Sequence, residues 1–449
     1  MVERFFNELG LDIRSILLPR KGTDMQKWAV VACDQYTSEP EYWHNTDEFV
    51  GNAPSTLHLI FPEVYLERET DEEKQQRINN INQAMCDYLE EGTFYELNNT
   101  MVYVERTTRS GKTRKGLVCA VDLEQYDFTQ GSQSLIRATE GTILDRLPPR
   151  IRIRENACLE LPHIMLLIDD PDAKVIEPLA LYKEKMNRLY SFDLMMNSGR
   201  IEGYQVNDVK ILEEIFQSLI YLKSNKTFSQ KYDVDPSMNP LLFAVGDGNH
   251  SLATAKSCWE RLKLSLSKVD SENHPARFAL VELVNVHDEG LDFEPIHRLL
   301  FHVDSARLLS AFVKFYAEQG IQCGYEYITN FTEVPANSSE RHIITFVHGD
   351  KTGYLWADKP CFNLDVATLQ HFLDDYLKSN PTIEIDYVHG EDVIEKLGRQ
   401  EANMGFILSP MEKKDLFKTV ILDGTLPRKT FSMGDAEDKR FYLECRSLR

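Results

Sequence analysis

Residues 243–256 read FAVGDGNHSLATAK, a polar knot set between two apolar segments. Leu241 to Val245 are apolar and bounded by Pro240 and Gly246, which predicts a short buried strand. Leu252 to Leu262 carry helix formers, with Ser251 at the entrance able to cap the first turn. Strand, tight loop and helix N-terminus in succession aim backbone N–H groups and the positive end of a helix dipole at the loop, where an anion would be held. Asp247 has the chemistry of a base or a Mg2+ ligand, and Asn249 and His250 can donate to phosphate oxygens. Gly246 and Gly248 permit unusual backbone angles and close approach of a ligand. The plainer reading is a turn around a satisfied histidine, but four polar groups beside two glycines favour a site.

A second cluster, RATEGTILDRLPPRIRIRENA, holds Arg137, Thr139, Glu140, Arg146, Arg150, Arg152 and Arg154. On an extended strand the arginines at 150, 152 and 154 share one face, and guanidinium groups suit bidentate phosphate contacts. A charge-protected edge strand reads equally well there. Further on, VNVHDEGLDFEPIHRLLF places His287, Asp288, His297 and Arg298 after a strand without zinc spacing, which suggests a phosphate or substrate wall. Near the C-terminus LPRKTFSMGDAEDKR contains Lys429, in a segment that reads as an ordinary charged hairpin. The loop CDQYTSEPEYW supplies Asp34, Thr37 and Glu39, although Glu39 with Pro40 also suits a helix start. The Gly-Lys-Thr of RSGKTRKG is read as a hairpin turn rather than a P-loop, because position 106, where that motif needs glycine, is Arg106.

The whole chain bounds these readings. Its 449 residues imply more than one core, and 50 Lys and Arg against 71 Asp and Glu give a net charge of −21. Nucleic acid and anionic membranes are therefore excluded as general partners, whereas a small anion remains compatible with locally concentrated cations. The 8 cysteines are scattered without metal or disulfide-module spacing and read as reduced thiols. With no signal-like N-terminus and no membrane-length apolar run, a cytoplasmic protein is expected. Oligomeric state is left open.

The blocks CDQYTSEPEYW, RATEGTILDRLPPR, PHIMLLIDD, GDGNHSLATAK, EPIHR and LPRKTFSMGDAEDKRFYLE make nearly the whole chain resemble the family DUF1015. Its loop is similar to the D-G-H-H-R loop of the ParB/sulfiredoxin-like superfamily, in which free L-serine kinases use the loop Asp and a glutamate elsewhere to activate the serine hydroxyl. The resemblance implies an α+β fold with a ParB/sulfiredoxin-like catalytic core carrying large insertions, over residues 1–302, and a C-terminal α/β region over 303–449. It further implies phosphoryl transfer from pyrophosphate to L-serine with Mg2+. ADP or ATP as donor, a phosphoester or pyrophosphate hydrolase, and a non-catalytic nucleotide-sensing module are the alternatives. Asp247 and His250 match the loop's Asp and second His, while Asn249 replaces the first His and Ser251 stands where Arg is frequent. The arginine cluster would then supply the missing cation, with Glu39 and Glu140 both candidates for the base.

Overall fold

The computed structural model describes residues 6–144 and 147–449. They form two compact units, Met1–Leu291 with Gly434–Arg449, and Asp292–Met433. In the first unit β1 (Leu11–Asp12), β2 (Met101–Thr107), β3 (Thr113–Asp122), β4 (Tyr126–Asp127), β5 (Ile136–Ala138), β6 (Met165–Ile168), β7 (Asn187–Asp193), β8 (Arg200–Val206), β9 (Phe243–Asp247) and β10 (Phe278–Asn285) build one ten-stranded sheet. The order is β7-β8-β2-β3-β10-β6-β9-β5-β4, with β1 paired to β3. The sheet is mixed: β10 runs parallel to β6, β9 antiparallel to β6, and β5 parallel to β9.

Alternation along the central strands explains how the sheet is covered on both faces. Met101, Tyr103, Leu117, Cys119, Val121, Val281 and Leu283 join one core with α4 (Val209–Lys223) and α6 (Asn249–Lys263). Val102, Val104, Val118, Ala120, Phe278 and Leu280 join the other with α2 (Asp71–Glu90), which Thr70 and Glu73 start as a capping box. The same alternation puts Arg106, Arg114 and Glu282 on this second face, where the residues after Gly434 cover them. Gly116 is needed there, because a Cβ would lie 2.2 Å from the Glu282 carboxylate.

The second unit is also mixed α/β. β11 (Phe293–Phe301), β12 (Cys323–Ile328), β13 (Arg341–His348), β14 (Lys351–Asp358), β15 (Glu384–His389), β16 (Met404–Ile407) and β17 (Phe431–Met433) form a seven-stranded sheet in the order β12-β14-β13-β16-β11-β15, with β17 on β11. Among the described residues no helix is long and apolar enough to cross a membrane.

Three expectations change. The division falls at 291/292 rather than 302/303, since β11 is internal to the second sheet, and residues 434–449 return to the first unit because their charges pair there. The arginine run is not a strand: Leu147–Arg154 is a helix, α3, opened by Pro148 and Pro149 in its first turn, where proline fits. Helix α6 begins at Asn249 with Gly248 as its N-cap, so Ser251 lies inside the helix rather than capping it. The predicted hairpin does form, with Arg106 opposite Arg114 across β2 and β3.

Candidate functional site

The sequence predicts a strand, a turn and a helix here, and the structure tightens the turn to the single residue Gly248 between β9 and α6, so that Asp247 ends the strand and Asn249, His250 and Ser251 open the helix. Gly248 has φ +82, and a Cβ there would sit 3.0 Å from the Ile164 side chain, so both backbone angle and space require glycine. No side chain caps the helix, which leaves its first N–H groups facing the loop. Asp247 Oδ1 accepts from Gly248 N–H at 2.9 Å, and its Oδ2 lies 3.4 Å from Lys439 Nζ. Asn249 binds the loop to the next strand: its Oδ1 accepts from Thr139 N–H at 3.2 Å and its Nδ2 donates to Thr139 Oγ1 at 3.3 Å. His250 Nε2 accepts from Ile143 N–H at 3.3 Å. These contacts place Glu140 within the segment tied to the helix entrance.

Beside this loop runs a chain of polar groups on His163. The Tyr442 hydroxyl accepts from Cys33 N–H at 3.3 Å, and it contacts His163 Nδ1 at 2.8 Å. Burial holds the Tyr442 phenol far above its ordinary range, so it stays protonated. On the other side of the ring Nε2 faces Ser251 Oγ at 3.2 Å and Asp34 Oδ2 at 3.7 Å. Burial alone would raise Asp34, but His163, the Gln35 amide and Lys439 outweigh it and hold this carboxylate below its usual range. Lys439, 9% exposed, thus bears on both Asp34 and Asp247.

A cavity of about 150 Å³ adjoins these groups, with Cys33, Glu63, Arg150, Arg154, His163 and Ser251 in its wall. Helix α3 turns Arg150 and Arg154, one turn apart, toward it. Each already holds a carboxylate: Arg150 pairs with Glu63, and Arg154 with Glu160 at 2.5 Å. Burial raises Glu63, with Arg150 pulling against it. Glu39 is exposed and directly precedes Pro40, the first residue of α1 (Pro40–Val50), and Thr37 is exposed in the same loop. Burial and the carboxylates Glu437, Glu39, Asp435 and Asp438 push the Tyr36 phenol up to about 12, which puts this loop against the segment that carries Lys439.

Other predicted residues go elsewhere. Arg137 is buried and donates to the carbonyls of Ser134 and Asn239, at the starts of β5 and β9 and away from Asp247. His297, Arg298 and Lys429 belong to the second unit. His297 Nδ1 accepts from Leu408 N–H at 3.1 Å, and burial, with Arg298 and His389 nearby, pushes it down to about 4, so it is neutral and unsuited to binding phosphate as a cation. Fully buried Arg298 donates to Gln370 and to the carbonyls of Lys429 and Arg428. Arg146 lies outside the described residues. Lys439, His163 and Tyr442 were missed, although all three stand in the quoted blocks; no spacing links positions 163 and 439 to 247.

Asp247 offers a Mg2+ ion one carboxylate, and among the described residues no three metal-ligating side chains converge.

Fold and site define a mixed α/β protein with a lysine-backed acidic loop at a helix entrance. Residues 17–376 match the family model described as "Protein of unknown function (DUF1015)", and the chain belongs to that family. No curated protein matches it. Among solved structures it is similar to a free serine kinase in complex with AMP, at 11% identity and TM-score 0.38, over 73% of this chain and 90% of that one. A conserved hypothetical protein from Pyrococcus furiosus matches at 11% and 0.36, over 74% and 95%. SbnI with C-terminal truncation from Staphylococcus aureus matches at 11% and 0.34, over 71% and 83%.

Proposed function

We propose that this chain is a phosphotransferase with a ParB/sulfiredoxin-like core that moves one phosphoryl group from pyrophosphate to the hydroxyl of free L-serine, giving O-phospho-L-serine and phosphate. The observation that carries this reading is the Asp247 carboxylate at an uncapped helix entrance, 3.4 Å from the buried ammonium of Lys439. Backbone N–H groups at the start of α6 and the Lys439 charge would hold the donor's phosphates, and electrostatic stabilisation of this kind supplies most of the catalysis in phosphoryl transfer. Lys439 takes the place of the arginine that the related loop carries.

In this reading Asp247 orients the donor, and Glu39 or Glu140 accepts the serine proton. Asp34, kept ionised by His163 and Lys439, fixes the lysine between two carboxylates. Mg2+ bound to the donor phosphates, with Asp247 as its protein ligand, would neutralise charge. The absence of a P-loop or dinucleotide fingerprint supports a small inorganic donor.

Incubating purified protein with L-serine, Mg2+ and each of pyrophosphate, ADP and ATP tests the proposal. O-phosphoserine is expected with pyrophosphate. Product with a nucleotide alone would replace the donor, and phosphate release that is indifferent to serine would make the protein a hydrolase.

A further inference from the structure

Two of the scattered cysteines, 72 residues apart in sequence, meet in space. Cys86 Sγ, in the last two turns of α2, lies 3.6 Å from Cys158 Sγ, just before the short strand Leu159–Glu160. Cys86 is half-buried and reaches solvent, whereas Cys158 is buried. A disulfide spans about 2.05 Å, so these sulfurs are in van der Waals contact and need close by only about 1.5 Å to bond.

The position matters as much as the distance. Met85, Ala157, Leu159 and Glu160, the neighbours of the two thiols, line the same cavity as His163 and Ser251. The Cys158 carbonyl accepts from Leu448 N–H at 3.0 Å, and Leu159–Glu160 pairs with Arg446–Ser447. A bond at this point would tie α2 to the cavity wall and to the strand that closes the C-terminal segment.

We propose that Cys86 and Cys158 are a covalent modification site, an oxidisable pair that a peroxide converts reversibly into a disulfide. The Cys86 thiolate attacks the peroxide O–O bond, giving a sulfenic acid and releasing water or alcohol. Cys158 sulfur then attacks the Cys86 sulfur, forming the S–S bond and expelling hydroxide, which takes up the Cys158 proton as water. In sum two thiols lose two electrons and two protons, and the peroxide is reduced. The scattered spacing in sequence gives no hint of this pair, because contact between α2 and residue 158 is a property of the fold. Burial and the adjacent Cys86 thiol push Cys158 up to about 11, so formation accelerates as pH rises.

The test treats folded, full-length protein with hydrogen peroxide, blocks remaining thiols with an alkylating agent, and maps the digest by mass spectrometry. A Cys86–Cys158 linked peptide, lighter by two hydrogen atoms and reversed by dithiothreitol, is expected at oxidant levels that leave circular dichroism unchanged. In Cys158→Ala the Cys86 sulfenic acid should persist and react with dimedone, while Cys86→Ser should leave Cys158 reduced. Cys86 passing to sulfinic acid with Cys158 still alkylatable, or both thiols staying reduced while other cysteines oxidise, overturns the proposal. So does a Cys158→Ala protein that gives no dimedone adduct at Cys86.

Discussion

Glu282 and Asp365 are both buried carboxylates, one in each unit, and their surroundings drive them in opposite directions. Burial penalises the charge of Glu282, yet Arg440 and Arg114 overcome it and hold the group below its ordinary range. Arg440 in turn grips Glu444 at 2.6 Å. Asp365 accepts from Val366 N–H at 2.6 Å and from the Asn337 amide at 2.7 Å, and burial outweighs these bonds and the Arg298 charge and pushes it up to about 6. His297 and His342 of the second unit are likewise driven to their neutral forms, at about 4. Around Glu282 the first unit thus keeps a buried group ionised by surrounding it with counter-charges, while at Asp365, His297 and His342 the second neutralises such groups. Chemistry that needs fixed charge, such as holding phosphates, belongs in the first environment.

Removing Arg440 should break this contrast most severely. Arg440→Met strands Glu282 and Glu444 without their strongest partner, and a loss of about 3–5 kcal/mol is expected for one half of a buried pair. Urea unfolding measures it; a loss under about 1 kcal/mol would mean that Arg106 and Arg114 suffice alone.

Next in size, Lys439→Ala and Asp247→Asn should each lower turnover by roughly 100-fold or more with folding intact, the scale of a lost charge or base in a transition state. Near-normal turnover with serine and donor saturating would reduce the pair to a structural contact.

The second unit makes a pH prediction. His297 and His342 are depressed from 6.5, so the unfolded chain binds more protons than the folded one, and their contribution to stability is lost as pH falls from about 6.5 toward 4. Asp365 is raised above 3.8, so its effect has the opposite sign: stability increases as pH falls through about 6. The histidines, with His348 lowered as well, act to lower the melting temperature as pH falls, while Asp365, Asp415 and Asp423, all raised by burial, act against them. In His342→Gln this downward pull should shrink; an unchanged slope would assign it to other groups.

The smallest effect is expected at Arg150. Because Glu63 already holds it, Arg150→Ala should raise the donor KM by about tenfold and the serine KM less, as a partly exposed, paired cation gives up little. Equal changes in both constants would remove α3 from the donor side.

Local pattern was legible where a few consecutive residues determine structure. The apolar run ending at Val245, the glycine at 248 and the helix formers from Leu252 marked strand, turn and helix, and they marked Asp247 as the polar group at the turn. The hairpin at Gly111 was legible for the same reason. Ser251 was misjudged as a cap because a glycine with positive φ can end a strand and start a helix without a side-chain acceptor. The arginine run was misjudged because its alternation mimics a strand, while the two prolines before it suit a helical first turn.

What the sequence alone determined is therefore the loop, its helix and the excess of acid against which local cations stand out. Tertiary structure decided which cation serves the loop: Arg137 and Arg298 are consumed by backbone carbonyls, Arg150 and Arg154 by glutamates, and Lys439 arrives beside Asp247 from the far end of the chain. The physical reason is that a charged side chain is placed by the partners that repay its desolvation, and those partners are gathered by long-range folding rather than by neighbours in sequence.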